Sequence, residues 1–257
     1  MDLDADLAAE IVRRVREAEP SVVAVLVTGS YARREADRYS DVDVVAVTRD
    51  EPACPFSAWF LERGDGRLAH VSVAAESLET WTDEEDEPAG WAFGFPVLEA
   101  AVYLWATSEA VAVLGEDPSA RLPPGEPELE DFVEFFMKLR RAVASGDAVL
   151  LRWTARMLVE YAAGLLRPLN PEVVVRSPPE ALRAALTLPV APEGFHADAR
   201  VCLGLDPASA EEVAAAGTRL ARGLVRFLEP REGDLGLADR SVADALREGV
   251  LRRYMDA

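Results

Sequence analysis

The sequence predicts an N-terminal domain of strands and helices followed by a C-terminal bundle of helices. Three observations carry this prediction. Before residue 76, β-branched apolar runs of strand length recur. A stretch rich in Pro, Gly and charge follows at 117–131 (DPSARLPPGEPELED) and reads as a linker. Beyond it, apolar residues step by three and four, the spacing of a helix with one buried face.

Leu3, Leu7, Ile11 and Val15 recur every fourth residue, so 3–18 is an amphipathic helix, stopped by Pro20. The run 21–28 (SVVAVLVT) is continuously apolar, as a strand buried on both faces requires. Gly29-Ser30 ends it, and Ala and Arg favour a short helix over 31–37. Residues 41–48 (DVDVVAVT) form a second strand. Pro52, Pro55, Gly64 and Gly66 surround FSAWFLE, which predicts a loop, a short helix and a turn over 50–66. The third strand is 68–75 (LAHVSVAA). A polar connection holding Asp83 to Glu87 leads to 100–115, which fits one or two strands, or a strand and a short helix.

After the linker, Leu129, Phe132, Phe136, Leu139 and Val143 mark one helix. The Ser145-Gly146-Asp147 break follows, with Asp147 placed to cap the next helix. That helix carries Leu150, Thr154, Met157, Tyr161 and Leu165 and ends before Pro168. Val213, Leu220, Leu224 and Leu228 mark another, and Val242, Leu246 and Val250 the last. The domains are therefore placed at 1–120 and 128–257.

The chain has 257 residues and a net charge of −19. Such a charge repels a phosphate backbone and argues against a polymeric nucleic-acid partner, while a small cation is attracted. No apolar run reaches the roughly 20 residues that span a bilayer, so no membrane partner is expected. The acidic start, Asp2, Asp4 and Asp6, does not read as a secretory signal. Cys54 and Cys202 have no metal-type spacing and fit two thiols in a reducing cytoplasm.

Chemistry concentrates in 27–47 (VTGSYARREADRYSDVDVVAV). Side chains on a strand alternate, so Asp41 and Asp43 share a face while Val42 and Val44 take the other. Two adjacent carboxylates repel, and a divalent cation between them relieves the repulsion. Hard oxygen ligands suit Mg²⁺, which keeps one or two protein carboxylates and completes its shell with phosphates and water. Gly29 lets the backbone approach a phosphate closely. Ser30 offers a hydroxyl and a backbone N–H, the first of a helix start that favours an anion. The bland alternative, a turn and an exposed strand edge, must explain two aspartates in a strand, where Asp is depleted.

Those residues resemble the signature of the DNA polymerase β-like nucleotidyltransferase superfamily, in its minimal, aminoglycoside nucleotidyltransferase-like branch. The pattern is Gly-Ser, one residue, Ala-Arg-Gly, a spacer, then Ser-Asp-apolar-Asp-apolar. Gly29, Ser30, Ala32, Arg33, Ser40, Asp41 and Asp43 match it, and Arg34 stands in the Gly slot. The resemblance is specific over 22–48, looser over 68–115, and one of layout alone over 128–168. It implies an α+β fold, a mixed-sheet nucleotidyltransferase domain followed by an all-α helical domain. It also implies transfer of a nucleoside monophosphate from an NTP to a hydroxyl, with two Mg²⁺ ions clamping attacking and leaving oxygens. Asp41 and Asp43 would hold the metal, and Gly29, Ser30, Arg33 and Ser40 the nucleotide. The acceptor would be small and hydroxylated, of aminoglycoside type, and a cation would suit the acidic chain.

The family usually places a third carboxylate on the third strand. Here 67–75 contains no acid, and the slot falls to His70, or second to Ser72. A histidine, with an ordinary pKa of about 6.5, can serve as general base, so His70 joins the catalytic candidates. Glu76 and Glu160 are weaker candidates for the same task. Loss of the base slows transfer by about 10²–10⁴ without preventing nucleotide binding. A non-catalytic nucleotide-binding or regulatory protein of the same fold is therefore the alternative reading. The acidic run at 83–87 reads as a solvated loop. Trp81, Trp91, Trp105 and Trp153 read as core or wall, and His196 is given no role.

Overall fold

The computed structural model describes residues 3–83 and 87–256, with the side chains of 81–83 outside that description. The acidic run at 83–87 and the side chain of Trp81 therefore lie largely beyond it. The chain divides into two compact units, one of Met1–Glu87 with Leu98–Leu122, the other of Pro88–Val97 with Pro123–Ala257.

The first unit opens with α1 (Ala5–Ala18), whose Asp4 carboxylate caps it by accepting from the N–H groups of Asp6 and Leu7. Fourteen residues make a marginal helix in isolation. Its buried stripe of Leu7, Ile11 and Val15, at about 1.5–3 kcal/mol per side chain, is what holds it on the sheet. β1 (Val22–Val27) is buried along its whole length. The helix predicted over 31–37 is shorter and earlier. α2 (Gly29–Ala32) gives way at once to Arg34, whose φ of 58° is left-handed and breaks helical geometry.

β2 (Val42–Thr48), β3 (Phe56–Glu62) and β4 (Leu68–Ser77) follow. β3 corrects the short helix predicted for FSAWFLE. Its apolar residues occupy both parities, which hides the alternation. Pairing with β4 across the turn at 63–67 makes it a strand, with Trp59 and Leu61 packed toward the α1 side and Phe56 and Phe60 pointing outward. Then come α3 (Leu78–Asp83), β5 (Val97–Glu99), β6 (Val102–Ala106), α4 (Ser108–Leu114) and β7 (Ala120–Leu122). β5 and β7 pair as a two-stranded sheet, so the whole of β7 lies within the stretch 117–131 read as linker.

The main sheet has the order β3-β4-β2-β1-β6. β2 and β4 run parallel and the other pairs antiparallel, so the sheet is mixed, as the resemblance implies. One face, with Val42, Val44, Val71 and Val73, is buried under α1. The other is covered by α4 over β1, where Ala24 and Leu26 meet Ala110.

The second unit is helical. α5 (Leu129–Ser145) and α6 (Ala148–Leu166) are separated by Gly146, whose φ is 69°, and by Asp147. As its position predicts, Asp147 caps α6, accepting from Val149 and Leu150 N–H at 3.0 Å. α7 (Pro178–Ala185) and α8 (Phe195–Cys202) are too short for periodicity to betray them. α9 (Ala210–Leu228) packs on α5 at Gly217, where a Cβ would sit 3.0 Å from a Leu139 methyl. The last predicted helix is two, α10 (Arg240–Arg247) and α11 (Val250–Asp256), split at Gly249 with φ 67°. Residues 88–97 join this unit through Gly125 N–H to Gly94 C=O at 3.1 Å and Val175 N–H to Pro96 C=O at 3.0 Å.

Candidate functional site

The turn after β1 is tied to β2, because the Thr28 N–H donates to the Asp43 carbonyl at 2.9 Å. Gly29 then turns with φ 61°, and its bare Cα lies against the Asp43 carboxylate, where any Cβ would collide. Parallel pairing of β2 with β4 sets Asp43 opposite Ser72, whose hydroxyl donates to Asp43 Oδ1 at 3.3 Å. Asp41 stands just before β2, with Oδ2 3.8 Å from His70 Nδ1. Asp41, Asp43, His70 and Ser72 thus gather on one side of the sheet, with Gly29 beneath the Asp43 carboxylate.

Burial raises the Asp43 pKa above the usual carboxylate range, and the Asp41 charge adds to the rise. The Ser72 hydrogen bond, Arg33 and His70 oppose it. Arg33 is largely buried, with Nε 3.0 Å from Glu35, and its guanidinium acts on both Asp43 and Glu99. Glu99 keeps much of its surface in solvent, yet its carboxyl is crowded enough that burial raises its pKa; Arg33 pulls it back and Asp43 pushes it up again.

The Asp41 and Asp43 carboxylates with the Ser72 hydroxyl make an all-oxygen donor set, which fits Mg²⁺. A cation would remove the Asp41–Asp43 repulsion that adds to the effect of burial at Asp43. Among the described residues no three or more His, Cys, Asp or Glu side chains converge on a metal-sized point. A site of two carboxylates completed by phosphate and water needs no such cage.

Other candidates fall elsewhere. The Ser40 hydroxyl is engaged in its own turn, accepting from Asp37 N–H at 2.9 Å. Ser30 lies in α2, where its carbonyl accepts from Glu35 N–H. Glu76 is four residues beyond Ser72 on β4, about 13 Å along the strand. Glu160 belongs to the second unit. There, with Glu126, Glu128, Tyr161 and Phe93, it lines a cavity of ≈ 330 Å³. Burial raises the pKa of both Glu128 and Glu160, and neighbouring acids raise Glu128 further. Glu99 escapes sequence reasoning: it sits in an apolar run (VLEAAVYL), and only the pairing of Val102 with Val27 brings that run to the Gly29 end of β1. Cys54 and Cys202 are free thiols, and burial lifts Cys202 to about 12. Among the described residues no helix is long and apolar enough to cross a membrane.

Residues 8–85 match the family model described as a nucleotidyltransferase domain, and residues 128–229 match the one described as a nucleotidyltransferase substrate-binding domain. No curated protein matches the chain.

Proposed function

Because the chain belongs to the DNA polymerase β-like nucleotidyltransferase superfamily, in its aminoglycoside nucleotidyltransferase-like branch, we propose that it transfers a nucleoside monophosphate from an NTP to a hydroxyl of a small, cationic acceptor. The observation that carries this is the Asp41–Asp43 pair, packed on Gly29 and facing Ser72 and His70.

Asp41 and Asp43 are the residues that would hold Mg²⁺, with Ser72 orienting Asp43. A Mg²⁺ held there would supply positive charge against the transferred phosphoryl group. Gly29 leaves room for a phosphate at the backbone, and the Ser30 hydroxyl and Arg33 guanidinium supply donors to its oxygens. In the step itself, the acceptor oxygen bonds the α-phosphorus as the bond to the bridging oxygen breaks. Pyrophosphate leaves with that electron pair. His70 presents Nδ1 to Asp41, which leaves Nε2 to take the hydroxyl proton. The net charge of −19 suits a cationic acceptor.

The test is pyrophosphate release with each of the four NTPs across a panel of aminoglycosides. At least one pair is expected to react, with release lost in the double variant Asp41→Asn, Asp43→Asn. The lack of a carboxylate on β4 beside the Asp pair, where His70 and Ser72 stand instead, favours a second reading, nucleotide binding without transfer. Tight, Mg²⁺-dependent NTP binding with no release for any acceptor would establish it.

A further inference from the structure

The sheet face that carries Asp43 is covered over β1 but open over β3 and β4. On that open part Phe56, Phe60 and Leu68 are 60%, 70% and 67% exposed. Cross-strand register joins them to the site, with Phe60 opposite His70 and Ala58 opposite Ser72. The Phe60 and His70 rings lie 5.3 Å apart at 31°, and His70 in turn meets Asp41. A single exposed apolar side chain needs no account. Three on one strand pair, continuous with a charged site, mark a binding surface.

Sheet order says which reactant belongs there. Gly29, Ser30 and Arg33 follow β1, and β1 lies on one side of β2; β4 and β3 lie on the other. If the triphosphate rests on those residues, it occupies the β1 side of the Asp pair. In-line displacement sets the attacking and leaving oxygens on opposite sides of the phosphorus. The attacking hydroxyl must then come from the β4 and β3 side.

We propose that the open face of β3 and β4 seats the acceptor, with the C–H face of a polyhydroxylated six-membered ring stacked on Phe60 and one hydroxyl directed at the Asp pair. This rests on the transferase reading above. From β2 to β3 is two strand spacings, about 10 Å, enough for one or two such rings. Aminocyclitol rings have the needed shape: axial C–H groups form an apolar face, and equatorial hydroxyls and amines ring the edge. A second protein copy on the same surface would cover His70 and bar access to the Asp pair, so it is not the occupant.

The test uses the full-length chain with kanamycin and its core 2-deoxystreptamine as probes, read by saturation-transfer NMR and calorimetry. Phe60→Ala is expected to fold, because the ring is mostly solvated, and to bind kanamycin roughly tenfold more weakly. Phe60→Trp should retain binding, and Mg²⁺-dependent affinity for a non-hydrolysable NTP analogue should be the same in all three proteins. The proposal is overturned by kanamycin binding equally well to Phe60→Ala, by neither probe binding the wild type, by loss of NTP affinity in Phe60→Ala, or by a wild-type dimer that Phe60→Ala dissociates. Failure of the transferase reading shows separately, as NTP affinity unchanged in Asp41→Asn, Asp43→Asn.

Discussion

Gly29 is the position where a single atom matters most. Its φ of 61° and its contact with the Asp43 carboxylate both exclude a side chain. Gly29→Ala is expected to cost about 1–2 kcal/mol in a thermal melt, since an L-residue resists this conformation. It should also weaken Mg²⁺-dependent NTP binding in calorimetry, because Asp43 must move aside. Glu160 offers a test with pH. Burial holds its folded pKa above the unfolded value, so the folded state binds the proton more tightly. Its contribution to stability therefore declines as pH rises from the ordinary carboxylate range through the raised value. Urea midpoints should show Glu160→Gln more stable than wild type at pH 8, with the gap closing toward pH 4. At this scale the sequence is readable where strand alternation rules. Asp41, Asp43, His70 and Ser72 share a side because the period of two and the β2–β4 register agree. Glu99 was unreadable because its neighbourhood is made by β6 returning beside β1, a contact that no local period encodes.

Among the elements, caps and long amphipathic helices announce themselves and short pieces do not. Asp147→Ala removes the two hydrogen bonds at the start of α6 and should lower the urea-derived stability by about 1 kcal/mol. Asp147 was legible because Gly146 ends one helix and the carboxylate begins the next within two residues. β3 was not, since its apolar residues fall on both parities and only the partner strand chooses between strand and helix. The same outward-facing Phe56 and Phe60 that blurred its period are the side chains the sheet leaves in solvent.

For the molecule as a whole, the break in composition near residue 120 is plain, but the exchange of segments is not. Residues 88–97 precede the linker and nevertheless belong with the helices. Phe95 is fully buried, and burying a phenylalanine is worth about 3–5 kcal/mol when judged by truncation to alanine. A fragment of 123–257 is therefore expected to melt at lower temperature than one of 88–257, by circular dichroism, although it keeps α5 to α11. Excursion and return also order events on the ribosome. β1 emerges early and gains β2 soon after, but its other neighbour, β6, is translated only after the chain has given ten residues to the second unit. Until then the nascent sheet has an open edge along a wholly apolar strand, Val22–Val27, the kind of edge that recruits other strands. That edge stays open from the completion of β2 at Thr48 until β6 is complete at Ala106.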